Sequence, residues 1–176
     1  MAAAGEDIYK RYFNILPTLM GTLGFDGRFE TVNTAWQTQL GYAPAEMEGK
    51  PCLEFIHPED RERVAEHQRK ILDGAGQALF ECRMRCKDGG YKWLLMRCAA
   101  DREIKLVYSV ATDISARKET EASLRDSREN LQHLLEQAPI AIGIRDKAGD
   151  LKFINRKFTE VFGYTAEEIF HFQDWC

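Results

Sequence analysis

The chain has 176 residues, a formal net charge of −4, 30% charged residues and a mean hydropathy of −0.42. That length holds one domain and a fraction of another. No basic block stands out, which argues against nucleic acid as a partner, and no apolar run approaches the ~20 residues of a membrane-spanning helix, so no direct membrane contact is expected.

Five cysteines occur, Cys52, Cys82, Cys86, Cys98 and Cys176. Their number is odd and none forms a C-x-x-C pair, which points to reduced, mostly buried thiols in a reducing compartment. His and Cys show no zinc-ligand spacing, so no metal is assigned. The opening M-A-A-A-G-E-D lacks the apolar core of a signal peptide. A cytoplasmic location is the resulting expectation.

In chain order, residues 6–16 carry Ile8, Tyr12, Phe13 and Leu16 near one helical face, and Pro17 interrupts them. Leu19 to Phe25 is a short apolar strand, Asp26-Gly27 a tight turn and Phe29 to Val32 the return strand. Asn33 is placed to cap a helix over Thr34 to Leu40, ended by Gly41. Helical turns follow at Pro44 to Met47 and Cys52 to Ile56. His57-Pro58-Glu59-Asp60 then reads as the start of a helix running to about Leu72, with proline at its first position and acids at its positive end.

The clearest strand comes next. Ala78, Phe80, Cys82, Met84 and Cys86 alternate with a mostly charged set, so Phe80, Cys82 and Met84 should face inward. Lys87-Asp88-Gly89-Gly90 turns the chain, and Tyr91 to Ala100 returns. Both faces of that strand are apolar, with Trp93 and Leu95 on one and Leu94, Met96 and Cys98 on the other, so each face should be covered. For the outer face the candidates are helix 6–16, a second subunit, or both. Leu106 to Thr112 is a final strand. Two strands, several short helices and three strands make an α+β plan with helices gathered on one face of an antiparallel sheet.

Asp113 to Gln137 contains no Pro or Gly and is rich in good helix formers. Leu124, Leu131 and Ala138 alternate with Thr120, Ser127 and Leu134 along a narrow, partly polar heptad seam. A lone helix of this kind is marginal, so Leu124, Leu131 and Leu134 are read as the seam of a parallel homodimer. Beyond it the beginning recurs: Pro139 to Ile169 aligns without a gap on Pro17 to Met47 at an offset of 122 residues. Gly21, Gly27, Asn33, Gly41, Tyr42 and Glu46 return as Gly143, Gly149, Asn155, Gly163, Tyr164 and Glu168. The expected organisation is therefore a helix over 1–16, a domain over 17–115, a linker helix over 116–138 and the first part of a second domain over 139–176. In that part Ile142, Ile144, Phe153, Ile154, Phe158 and Phe162 are expected to lack a covering sheet.

Four segments carry a resemblance: F-D-G-R-F-E-T-V-N-T-A-W-Q-T-Q-L-G-Y-A-P-A-E-M-E-G-K, F-I-H-P-E-D-R, R-C-K-D-G-G-Y-K-W-L-L and Y-S-V-A-T-D-I-S-A-R-K. They resemble the PAS domain family with its C-terminal PAC motif, completely over about 16–118 and partially over 138–176. The resemblance implies a five-stranded antiparallel sheet and a helical face enclosing a small pocket. It also implies a sensory or dimerising input of a histidine kinase, a cyclic-dinucleotide enzyme or a transcription regulator. Asp113, Ile114 and Arg117 then belong to the ending that joins the sheet to an outgoing signalling helix; Ser115 stands where the family commonly has Thr. Trp36, Cys52, Phe55, Phe80 and Met96 are the candidate lining of a pocket for a small molecule.

No cofactor is assigned. Cys52 sits where flavin photosensors of the family carry a reactive cysteine, but Pro51, Leu53 and Ile56 replace the accompanying Asn, Arg and Gln. Non-covalent FAD is the first alternative. Haem is the second, through His67, although Glu66 and Gln68 beside it are polar. His57 reads as a helix cap and Trp36 as core. No phosphate loop, kinase histidine box, cyclase signature or nucleophile–base pair is found, so no catalysis is expected of this chain.

Overall fold

The structure is a computed structural model that describes residues 2–165 and 168. Strand alternation builds the main sheet. In β3 (Gln77–Arg85) and β4 (Tyr91–Asp101), Phe80 lies opposite Met96 and Cys82 opposite Leu94. Cys98 and Met96 in turn meet Ser109 and Ala111 of β5 (Leu106–Asp113). The last strand inserts beside the first: β5 pairs with β1 (Leu19–Gly24), and β1 with β2 (Phe29–Val32). The order β2-β1-β5-β4-β3 is antiparallel throughout and leaves β2 and β3 at the edges.

Between β2 and β3 come α2 (Ala35–Leu40), α3 (Pro44–Met47), 3₁₀ turns at Cys52–Glu54 and Pro58–Asp60, α4 (Arg61–Lys70) and a wide turn at Ile71–Ala75. Their apolar side chains meet the inner face of the sheet in one core that includes Leu19, Trp36, Leu40, Met47, Val64 and Leu94. Two glycines are required locally. At Gly21 a Cβ would come within 2.8 Å of the Thr31 carbonyl oxygen. Gly41 closes α2 at φ 85°, its amide bonding the Gln37 carbonyl, a backbone region that side chains disfavour.

Before the sheet lies α1 (Ala2–Ile15), four residues longer at its start than the apolar spacing indicated. Its Ile8, Tyr12 and Ile15 are exposed, so it does not bury them against the sheet. The helix expected from Pro58 to about Leu72 opens as a 3₁₀ turn, continues as α4 and widens at Ile71–Ala75, where Gly74 at φ 132° ends the helical backbone.

The chain divides into two compact units, Met1–Lys118 and Glu119–Cys176, with α5 (Ser115–Gln137) crossing the division. The second unit holds β6 (Gly143–Arg145), β7 (Leu151–Ile154) and α6 (Arg156–Phe162). It repeats β1, β2 and α2, down to the register shift: Thr22/Leu23 in one hairpin, Ile144/Arg145 in the other. Of the six apolar residues expected to lie uncovered there, Ile154 is buried, Ile142, Phe153 and Phe158 are half-buried, and Ile144 and Phe162 are exposed. The part of the repeat beyond Thr165, apart from Glu168, lies outside the described residues.

One side chain recurs as a joint. Asn33 does not cap α2, whose preceding residue is Thr34 with no side-chain cap. Its amide nitrogen donates to the Phe13 carbonyl at 2.9 Å and the Thr18 carbonyl at 2.8 Å, and its oxygen accepts from the Met20 amide at 3.1 Å. Asn155 does the same at the same offset: it donates to Leu135 at 3.0 Å and Ile140 at 2.9 Å and accepts from Ile142 at 2.8 Å. Asn155 also caps α6 through the Phe158 amide, 3.0 Å away. Each asparagine thus ties the last turn of a helix to the first strand of the hairpin that follows.

Candidate functional site

Under the inner face of the main sheet lies a cavity of about 290 Å³. Phe80, Cys82 and Met84 wall it from β3, Met96 and Cys98 from β4, and Val107 and Ser109 from β5. Val64 and Gln68 of α4 close the opposite side, with Cys52 and Phe29 between. Among the proposed lining residues, Cys52, Phe80 and Met96 are at the cavity. Trp36 and Phe55 are not: Trp36 is fully buried in the core, its indole N–H bonding the Met20 carbonyl at 2.9 Å, and Phe55 packs edge-on against Phe29 and Tyr42. Both are large aromatics that follow the turn chemistry of the helical face, so their packing depended on partners the sequence did not name.

The thiols here are protonated. Burial raises Cys52 to about 11 and Cys82 and Cys98 to about 12. Gln68 donates its amide N–H to the Cys52 sulfur at 2.8 Å. Ser109 donates to the Gly21 carbonyl at 3.0 Å.

These residues fit neither cofactor alternative. His67 is not at the cavity but stacks on Phe80, rings 4.6 Å apart and 6° from parallel, and thiols held protonated are poor iron ligands. FAD would bring a pyrophosphate, whereas among the described residues the only basic side chain at the cavity is exposed Arg69.

A second constellation sits at the strand-to-helix junction. Asp113 Oδ1 accepts the Ser115 amide at 2.9 Å, as a helix-start carboxylate should, and Oδ2 pairs with Lys92 at 2.9 Å. Burial opposes the charge, but Lys92 and Ser115 outweigh it, and the carboxyl stays below its usual range. The Ser115 hydroxyl accepts the Trp93 amide at 3.0 Å. Ile114 is buried and its N–H bonds the Trp93 carbonyl at 2.8 Å. Arg117 and Lys118 both pair with Glu81, Lys118 at 2.6 Å.

Sequence reasoning missed the centre of this junction. Trp93, half-buried on the outer sheet face, lies between two cations: the Arg83 guanidinium 5.3 Å from its ring centre and the Lys118 ammonium 5.2 Å away. Arg83 is held in turn by Asp60, which is 5% exposed. Asp60 Oδ2 accepts Arg83 N and Nε at 2.8 and 3.0 Å, and Oδ1 accepts Nη2 at 3.0 Å. That donor set holds the Asp60 carboxyl down to about 2 despite burial. Asp60, read as a helix-start acid, makes no side-chain cap to α4. His57 does cap, its Nδ1 accepting the Glu59 amide at 3.3 Å.

A family profile described as PAS fold matches residues 29–108, and a second, described as PAS domain, matches residues 129–175. The chain belongs to the PAS domain family. Among solved structures, the PAS domain of a Colwellia psychrerythraea protein superposes with a TM-score of 0.57 at 19% identity, covering 62% of this chain and 97% of that one. A domain of a sensory box sensor histidine kinase/response regulator from Geobacter sulfurreducens gives 0.56 at 15% identity, covering 64% and 97%. Both likenesses are of fold. Among curated relatives, the uncharacterized protein y4lL of Sinorhizobium fredii (strain NBRC 101917 / NGR234) is 27% identical over 169 residues, 94% of this chain and 20% of that protein. The aryl hydrocarbon receptor nuclear translocator homolog of Drosophila melanogaster is 39% identical over 71 residues, 39% of this chain and 11% of that protein. The chain thus spans a fifth or less of these two relatives. Among the described residues no helix is long and apolar enough to cross a membrane, and no group of His, Cys, Asp or Glu could hold a metal ion.

Proposed function

We propose that this PAS sensory domain is the input module of a signal-transduction protein, of the sensor histidine kinase class, that takes a small molecule into its cavity and relays occupancy through α5. The observation that carries this reading is continuity. The cavity is walled by β4 and β5, and β5 runs through Asp113 and buried Ile114 into α5, whose first turn is tied to Trp93 and Glu81. A ligand that shifts β4 or β5 therefore acts on the helix start without an intervening loop. That a domain of the same fold occurs in the Geobacter sensor histidine kinase/response regulator is compatible with the kinase class; a diguanylate cyclase or phosphodiesterase is the alternative parent. The test is native mass spectrometry of the purified chain, followed by hydrogen exchange of residues 115–119 with and without whatever co-purifies. Exchange that is unchanged on ligand removal overturns the relay.

A second reading, a dimerisation module without ligand, is favoured by the exposed seam. Leu124, Leu131 and Leu134 are 61%, 58% and 61% exposed in the single chain. Aligned parallel in two copies, they form the a and d positions of a short coiled coil. Light scattering at tens of micromolar should give a dimer for the natural chain and a monomer for Leu131→Asp; equal dimerisation of both overturns the seam.

A further inference from the structure

The cavity has an unusual lining. Five sulfur-bearing side chains, Cys52, Cys82, Met84, Met96 and Cys98, face it together with Phe29 and Phe80. Its charged lining residues are Asp26 and Arg69, one of each sign, and both are exposed. No buried side chain there can neutralise a ligand charge, and taking an unpaired charge out of water is prohibitive. Sulfur is polarisable and packs well against ring edges, so such a wall favours a flat aromatic guest over an alkyl chain.

The polar features narrow the class further. Ser109 spends its hydroxyl proton on Gly21. The half-buried Gln68 amide donates to the Cys52 sulfur, a weak acceptor, and lies beside Gly27 at the turn between β1 and β2. An oxygen atom of a ligand is a stronger acceptor than that sulfur. The volume corresponds to roughly ten water molecules' share of the liquid, below the usual range for large ligands, which suits one or two rings.

We propose that the cavity binds an uncharged aromatic molecule of one or two rings, seated against the sulfur-bearing wall, with an oxygen that takes the Gln68 N–H from Cys52. The proposal rests on the sensory reading given above and specifies its ligand. It assigns Gln68 as the residue that selects for the oxygen, and the absence of a buried cation as the feature that rejects carboxylates.

The test uses the full chain at neutral pH with 2-naphthol, naphthalene and 2-naphthoate, followed by calorimetry and by shifts in melting temperature. 2-Naphthol should bind and raise the melting temperature, and 2-naphthoate should bind at least about tenfold more weakly. Gln68→Leu should weaken 2-naphthol about tenfold and leave naphthalene unchanged; because naphthalene binding reports an intact cavity, a misfolded variant is recognised. Met96→Trp, which fills the space, should abolish binding of all three. Equal binding of 2-naphthol and 2-naphthoate, or an unaltered preference in Gln68→Leu, overturns the ligand class and leaves the sensory reading standing. Binding of none of the three, together with a Met96→Trp variant that melts higher and retains the natural exchange pattern in α5, overturns the sensory reading itself.

Discussion

Asp60→Asn keeps the shape of the side chain that receives Arg83 and removes its charge. In the folded chain the carboxyl lies at about 2 against an ordinary 3.8, chiefly because of the Arg83 side chain, with its backbone N–H and Arg63 adding to it. At 1.36 kcal/mol per pH unit the difference amounts to about 2.5 kcal/mol of stability. The figure falls below the roughly 3–5 kcal/mol of a fully buried broken pair. That is consistent with Arg83 being 25% exposed and keeping Glu59 as a second partner at 2.8 Å. Because the folded value is depressed, the contribution is complete above pH ~4 and is lost as pH falls towards ~2. Urea unfolding is followed by tryptophan fluorescence in a background with Trp93 and Trp175 replaced by Phe, so that fully buried Trp36 alone reports the first unit. At pH 7 the variant should unfold with about 2.5 kcal/mol less free energy, and the gap should close as both proteins are taken from pH 4 to pH 2. A gap under ~1 kcal/mol at pH 7, the size of an ordinary surface pair, would refute the reasoning. So would a gap that persists unchanged at pH 2.

Asn33→Leu removes the donor to Phe13 and Thr18 and the acceptor of Met20; at about 1 kcal/mol per net hydrogen bond it should cost roughly 3 kcal/mol, and hydrogen exchange at the end of α1 should rise in step, whereas unchanged protection there would count against the joint. Asp113→Ala should cost about 0.5–2 kcal/mol as a lost cap and loosen residues 115–119 more than β5, read by the same exchange experiment. A double-mutant cycle of Trp93→Leu and Lys118→Met should return a coupling of about 0.5–1 kcal/mol; strict additivity would mean that the ring and the ammonium merely sit near each other.

Much of this was legible in order. The alternation from Ala78 to Cys86 assigned the inner face of β3, and Phe80, Cys82 and Met84 are buried there. The doubly apolar β4 announced cover on both faces, but the cover over Trp93 comes in part from two cations rather than an apolar partner. An aromatic face attracts charge through its quadrupole, and hydrophobic patterning is blind to that. Asn33 shows a different limit. A helix-start asparagine has a local use and a distant one, and only the fold decides between them. The signal that could have decided it was the ungapped offset continued upstream of Pro17, where Phe13 falls on Leu135 and Asn14 on Glu136. Those last two side chains accept the equivalent amides, Thr34 and Arg156, at 3.2 and 3.1 Å. Cavity lining was the least legible part. Trp36 and Phe55 are as aromatic as Phe80, and their distance from the cavity follows from packing against Phe29 and Tyr42.

The paired asparagines change where such a module can be cut. A division placed at Pro17 or Pro139, where the repeat begins by sequence, severs Asn33 from Phe13 or Asn155 from Leu135 and leaves a buried amide with only the acceptor inside the hairpin, Thr18 or Ile140. A division inside the preceding helix, one turn or more before residue 13 or 135, carries the joint whole. The heritable and graftable piece is therefore helix end plus hairpin plus sheet. Chimaeras spliced within the helix should fold, while those spliced at the proline should inherit a wobbling hinge in place of a rigid one.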